Sequence, residues 1–166
     1  MNRMLTKLLS AAALALTISL SSPVISDAIA APVTKSVHAN SIYDHIKQNT
    51  NGVQQNSSAM LDKISLLARA DAKNADKDMV KSAINWLDQN RKKLFDSNES
   101  METAIYFGSY LDAAFPDSDP LSKIGWQALK AVKYVYRGAE SPSDRSSVRA
   151  VRKMSIELDK YLLTHP

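Results

Sequence analysis

The sequence has no cysteine, and its 166 residues include only 4 glycines and 3 histidines. Without cysteine there are no disulfides, no cysteine nucleophile and no lipid-modified N-terminal cysteine, so the hydrophobic core alone must hold the fold. No Asn-Gly or Asp-Gly pair lies between alternating apolar runs, which argues against β-hairpins. Scarce glycine together with helical periodicity predicts an all-α protein.

Motifs for catalysis, metals and nucleotides are also missing. The sequence has no His-Glu-x-x-His, no Gly-x-Ser-x-Gly and no glycine-rich phosphate loop. His38 and His45 fall in a weakly patterned segment and His165 is the penultimate residue, so we interpret all three as solvated side chains. We therefore predict a non-enzymatic protein without a metal site or cofactor.

Two pairs of carboxylates could in principle serve acid–base catalysis. Glu99 and Glu102 lie one helical turn apart, and Asp117 and Asp119 flank a serine. The first pair is better explained by the favourable effect of acids at a helix N-terminus, and Asp119 by helix capping. These explanations agree with the prediction of no catalysis.

The first thirty residues have the pattern of a cleaved export signal. Arg3 and Lys7 precede an apolar run at residues 8–20, and Ala28 and Ala30 supply the small residues that a signal peptidase requires. The apolar run is too short to span a bilayer. We expect residues 1–30 to be removed and the mature protein to be periplasmic or secreted in a bacterium.

The mature chain of 136 residues, which is the 166 of the sequence less the first 30, is long enough for one domain. Residues 31–56 are predicted to be a flexible N-terminal arm or linker, because residues 47–58 are rich in amides and serine. Ile42, Tyr43 and Ile46 could form a short helix ahead of that polar stretch. The helical bundle domain is predicted over residues 57–166.

Within this domain the apolar periodicity predicts helices at residues 58–73, 75–95 and 98–115. Asn74 and Ser97 are the predicted N-caps of the second and third of these. The third is apolar around most of its circumference, which is typical of a central helix. Short connections favour antiparallel neighbours.

Asp119 and Pro120 are predicted to start a fourth helix that ends near Arg137, with Gly138 as its C-terminal glycine. A fifth helix should run from about residue 143 to residue 163. The predicted fold is thus an antiparallel bundle of four to five helices after a cleaved signal peptide.

Positive charge concentrates in the last two predicted helices. Residues 31–120 contain 10 basic and 12 acidic residues, whereas residues 121–166 contain 9 basic and 4 acidic residues. In the fourth helix Trp126 falls on the polar side, among the basic residues Lys123, Lys130, Lys133 and Arg137. In the fifth helix Arg145, Arg149 and Arg152 share one face. A tryptophan among cations is typical of a protein hot spot or a membrane interface, although coverage by another element is the alternative.

The third helix carries a dense aromatic group. Tyr106, Phe107 and Tyr110 lie within about one turn and could line a pocket for a flat apolar ligand. Aromatic packing in the core is the alternative reason for this spacing.

Taken together, these patterns lead us to expect an exported protein that binds a macromolecular partner, as an inhibitor, immunity protein or adaptor does. The partner is expected to be another protein, of which an acidic one is the case that the basic residues suit, and not a nucleic acid. Two alternatives stay open: a carrier of a small apolar ligand in the aromatic core, and peripheral binding to an anionic membrane surface.

Overall fold

The computed structural model describes residues 39–138 and 145–166, and within them it contains six α-helices and no strand. In chain order the helices are α1 (Ala39–Asn49), α2 (Ser58–Ala72), α3 (Lys77–Asn90), α4 (Asn98–Ala114), α5 (Pro120–Tyr136) and α6 (Arg145–Thr164). The predicted all-α class is confirmed. The predicted signal peptide at residues 1–30 lies outside the described residues.

The helix count differs from the predicted four to five because α1 belongs to the core. Ile42 and Ile46 are fully buried and lie one turn apart on the face of α1 that packs against α4 and α2. The prediction of a flexible arm over residues 31–56 is therefore corrected for α1, and residues 31–38 lie outside the described residues. The short helix that Ile42, Tyr43 and Ile46 suggest is present as α1, and it packs on the core instead of standing apart from it.

Side-chain caps start four of the helices. Ser57, Asp76, Ser97 and Asp119 each accept a hydrogen bond from a backbone N–H in the first turn that follows. Asp76 replaces the predicted cap Asn74, because residues 73–75 continue as tight turns at the end of α2. Helix α3 also ends at Asn90 instead of near residue 95, and a pair of turns follows it.

Helix α4 lies at the centre of the structure. Every residue from Met101 to Leu111 is buried, and α4 packs against α1, α2, α3 and α5. Its nearly uniform apolar circumference is the sequence feature that requires this central position. Within the described ranges, no helix combines the length and the apolar character needed to cross a membrane.

The contact between α4 and α5 is a close approach of two backbones. A Cβ atom on Gly108 would lie 2.9 Å from the carbonyl oxygen of Gly125, and a Cβ atom on Gly125 would lie 2.6 Å from the carbonyl oxygen of Gly108. Gly125 also faces Asp112 and Gly108 faces Leu129, so residue numbers rise along one helix as they fall along the other. The two helices are therefore antiparallel, and only glycine fits at their crossing.

We expect Gly108→Ala and Gly125→Ala each to lower the free energy of unfolding by about 1 to 3 kcal/mol, because the added methyl group forces two backbones apart. Helix propensity alone would predict a gain of about 1 kcal/mol from the same change. Urea denaturation of the purified variants measures the difference.

The control for this prediction is Ala113→Gly, at an exposed position of α4. It should lose only the propensity difference of about 1 kcal/mol. Alanine variants at Gly108 and Gly125 that are as stable as the parent protein would show that the two helices are not held at backbone contact.

Candidate functional site

The outward face of α5 is basic and contains an exposed tryptophan. Trp126 is 49% exposed, although most tryptophans are largely buried. Lys123 and Lys130 are exposed on the same side, and α5 contains no acidic residue. The apolar residues of α5 face α4 and α6, so the amphipathic pattern of the helix itself turns these side chains outward.

Acids lie on one side of Trp126. A notch of about 400 Å³ beside the indole is lined by Asp112, Asp117, Ser122 and Lys123. Burial raises the pKa of Asp112, Arg69 opposes that shift, and Asp117 adds to it. The sequence interpretation of Trp126 as surrounded by cations is thus corrected, because the end of α4 and the following loop bring two carboxylates next to the ring.

Lys133 and Arg137 are less available than Lys123 and Lys130. Their charged groups lie 5.8 Å and 5.6 Å from the ring centroid of Tyr134, at cation–π distance. Arg137 also donates a hydrogen bond to the Ser58 hydroxyl at 3.3 Å, which links the end of α5 to the start of α2. Both residues are only partly exposed, so their first role is to hold the C-terminal turn of α5.

On α6 the three arginines Arg145, Arg149 and Arg152 are all exposed, and spacings of four and three place them in one row. The two acids described on this helix are engaged elsewhere. Glu157 accepts from Lys160 at 3.1 Å, and Asp159 pairs with Arg91 at 2.8 Å. Among the described residues, none of the three arginines forms an ion pair, so the row keeps its positive charge.

Lys123 connects the two basic surfaces. It lines the notch beside Trp126, and it also lines a second cavity between α5 and α6 together with Gln127, Lys153 and Ile156. Ile156 is itself 43% exposed. We name the basic face the surface formed by Trp126, Lys123 and Lys130 of α5 and by Arg145, Arg149, Arg152 and Lys153 of α6.

The aromatic group of α4 forms part of the core. Tyr106, Phe107 and Tyr110 are fully buried, with the Tyr106 ring 5.8 Å from Phe107 and 6.4 Å from Tyr110, centroid to centroid. None of them lines the notch beside Trp126 or the cavity between α5 and α6. Their burial and mutual ring contacts match the core-packing alternative of the sequence analysis.

A buried polar cluster joins three helices, and the sequence analysis missed it. The carboxylate of Asp71 on α2 accepts a hydrogen bond from the Tyr106 hydroxyl of α4 at 2.6 Å. The same oxygen lies 3.0 Å from Nε2 of His45 on α1. Because an ionised carboxylate can only accept, His45 donates here from a protonated Nε2. Burial, and then this carboxylate, hold the pKa of Tyr106 well above its usual range.

His45 is therefore a core residue, which corrects its interpretation as a solvated tail histidine. Its side chain is only 10% exposed and its ring meets the Tyr106 ring edge-on at 6.0 Å. The signal available in the sequence was its position three residues after Ile42, which places both side chains on one face of a helix. Among residues 39–138 and 145–166, no three His, Asp or Glu side chains come together as metal ligands.

A second buried carboxyl group lies between α4 and α5. Glu102 is fully buried, and its Oε1 accepts a hydrogen bond from the Tyr136 hydroxyl at 2.9 Å. Its Oε2 is buried without a hydrogen-bond partner among the described residues. Burial raises the pKa of Glu102, and Glu99 adds to this, whereas the Tyr136 hydroxyl and the charge of Lys47 oppose it.

The raised pKa of Glu102 predicts a pH dependence of stability. The folded state binds a proton at Glu102 more tightly than the unfolded state does. The contribution of this proton to the free energy of unfolding is therefore fully present below the pKa of the unfolded state, near 4.5. It is lost as the pH rises through the folded pKa. We expect Glu102→Gln, which keeps an acceptor for Tyr136, to be more stable than the parent protein at pH 8 by about 1 kcal/mol.

Urea denaturation at pH 4 and pH 8 measures this effect, and the advantage of Glu102→Gln should shrink at pH 4. Asp62→Asn is the control, because Asp62 is an exposed acid on α2 that does not contribute to the pKa of Glu102. An advantage of Glu102→Gln that is equal at both pH values would contradict an ionisation cost at Glu102.

The comparisons leave the site to be interpreted from its geometry. The chain matches no protein-family model, no curated protein and no solved structure. The basic face combines an exposed tryptophan with exposed cations on two neighbouring helices.

Proposed function

We propose that this chain is an exported binding protein without catalytic activity, which holds an acidic protein partner against the basic face. The observation that carries the proposal is the exposure of Trp126 at 49% beside Lys123, on a helix whose other large apolar residues are mostly buried. An exposed tryptophan costs free energy in the unbound protein and regains it when a partner covers the ring.

The arginine row supplies the electrostatic part of this interface. Arg145, Arg149 and Arg152 are exposed and have no ion pair among the described residues, and guanidinium groups bind carboxylates in two-point geometry. A partner with acidic side chains would gain both attraction at long range and specific contacts. An inhibitor, immunity protein or adaptor that acts on an acidic partner would use such a surface.

Export is the second part of the proposal. It is supported by the basic residues, apolar run and small residues of residues 1–30, with cleavage after Ala30. The chain has no cysteine, and its hydrophobic core contains residues from every helix from α1 to α6. The fold can therefore be held by its core without disulfides after export.

A second candidate function, peripheral binding to an anionic membrane surface, is favoured by exposed apolar side chains on the same helix as the arginine row. Val148 and Ile156 are both exposed on α6, where they could insert between lipid headgroups. We rank it below protein binding because a protein partner can place basic or neutral groups opposite the two carboxylates of the notch at Trp126 and acidic groups opposite the cations, whereas an anionic lipid surface presents one sign of charge throughout.

Export predicts a defined N-terminus. We expect N-terminal sequencing or intact mass measurement of the protein recovered from the exporting cell to give a chain that begins at Ala31. An Ala28→Glu, Ala30→Glu double variant should stay uncleaved, because the peptidase accepts only small residues there. A full-length chain in the cytoplasm would contradict export.

The interface predicts a hot spot at Trp126. Partners are first identified by native mass spectrometry and chemical cross-linking of the protein from the exporting cell, and affinity is then measured with the purified partner by calorimetry. Trp126→Ala should weaken binding by about 2 kcal/mol or more, roughly 30-fold, without lowering the melting temperature by more than a few degrees.

Leu66→Ala is the control, because Leu66 on α2 is 62% exposed on a different surface. It should leave the affinity unchanged. Charge reversal of the arginine row should weaken binding most at low ionic strength. Salt-sensitive binding to anionic vesicles, with no protein complex recovered, would support the membrane candidate instead.

A further inference from the structure

A cleft of about 860 Å³ opens between the N-terminal half of α3 and the C-terminal end of α6. Its walls are largely apolar, with Val80, Ile84, Phe115, Leu121, Tyr161 and Leu162 among the lining residues. This volume lies within the range of small-molecule sites, which is about 300 to 1,000 Å³. Its lining residues are not those of the basic face.

Among the described residues, an ion pair ties the chain after α3 to α6 at one end of the cleft. Arg91, just after α3, pairs with Asp159 of α6 at 2.8 Å and also with Asp88. The residues that line the cleft lie toward the other end of α3, between residues 75 and 85. Helix α3 packs on α4 and makes few contacts with α6, so the apolar side chains between them stay partly uncovered.

The charge at the mouth of the cleft is positive. Lys77 and Lys81 lie one turn apart, both are exposed, and neither forms an ion pair with another described residue. Asp76 also lines the cleft, but its carboxylate is engaged as the N-cap of α3, where it accepts from the backbone N–H of Met79 at 2.7 Å. Two ammonium groups are therefore available at the rim to an anionic group of a ligand.

A pair of stacked rings forms part of the lining at the end of α6. The rings of Tyr161 and His165 lie 4.2 Å apart and nearly parallel, at 7°. Nδ1 of His165 lies 3.1 Å from the carbonyl oxygen of Tyr161, which fixes the imidazole over the phenol. This arrangement gives the cleft a flat, ordered side before any ligand enters, so little ordering is needed on binding.

We propose that this cleft binds a small amphiphile with an apolar chain and an anionic head, of which a medium-chain fatty carboxylate is the simplest. The chain lies against Val80, Ile84 and Leu162, and the carboxylate meets Lys77 and Lys81. This site differs from the aromatic group of α4, which the sequence analysis gave as an alternative place for a ligand. The proposal does not depend on the basic face or on its partner.

Isothermal titration of the purified full chain with decanoate and dodecanoate, both below their micelle concentrations, tests the site. We expect one ligand per chain, and dodecanoate to bind about 15-fold more tightly than decanoate, since each buried methylene contributes about fourfold. Dodecyltrimethylammonium should bind at least tenfold more weakly than dodecanoate. No binding, or affinities that ignore chain length or head charge, would overturn the proposal.

Variants then locate the site. Lys81→Glu should weaken dodecanoate binding about tenfold, whereas Lys92→Glu, the same charge change at an exposed position outside the cleft, should leave it unchanged. Val80→Trp should fill the cleft and abolish binding. An equal loss in Lys81→Glu and Lys92→Glu would mean attraction by net charge alone and would sink the assignment.

Two further outcomes are decisive. Trp126→Ala should bind dodecanoate as the parent protein does, so a failure at the cleft and a failure at the basic face are told apart.

Sedimentation velocity tests whether a second copy of the chain covers the cleft, because a dimer that dodecanoate does not dissociate would overturn the proposal. The chain-length series and Lys81→Glu decide the matter even where Val80→Trp unfolds the protein.

Discussion

The backbone contact between Gly108 and Gly125 is the constraint on which the other helices depend. It sets the distance between α4 and α5 at the centre of the core, where a single methyl group would already collide with a carbonyl oxygen. Because α4 is buried along eleven consecutive residues, every other helix that packs on it is positioned by the same axis. A change in that spacing would move the surfaces of α5 and α6 together.

Two buried polar contacts fix the rotation of the helices around that axis. Asp71 receives hydrogen bonds from two helices at one carboxylate oxygen, and Glu102 receives one from Tyr136. Apolar packing tolerates a range of helix rotations, whereas a buried carboxylate keeps its hydrogen bonds in only one of them. The incomplete satisfaction of Glu102 means that this specificity comes at a cost in stability.

Much of the helical architecture could be read from local patterns. The bounds of α2, α4 and α5 follow from apolar periodicity and from caps such as Ser97 and Asp119, because these signals act within one turn. For α1, the sequence indicates a short helix but not its place in the core. That place depends on burial of Ile42 and Ile46 against α4, which is a contact between distant parts of the chain. Helix length was overestimated in α3, where turns replace the last predicted residues.

The same distinction between local signals and contacts of distant residues applies to the candidate sites. Exposure of the arginine row was predictable from spacing, since it depends only on the face of one helix. Three other features each bring together residues from different parts of the chain. They are the carboxylates beside Trp126, the contact of His45 with Asp71, and the cleft next to α3. Their existence depends on which helices become neighbours, and a helical period carries no information about that choice.

The glycine contact has a consequence for the residue that follows it. Trp126 comes directly after Gly125, whose backbone lies against the backbone of α4. The Cα atom of this exposed tryptophan is thus attached to a point where two helix backbones are in direct contact, and its two side-chain torsions remain to be ordered. A ring presented in this way loses little conformational entropy when it is covered, so a larger share of its contact energy would appear as affinity.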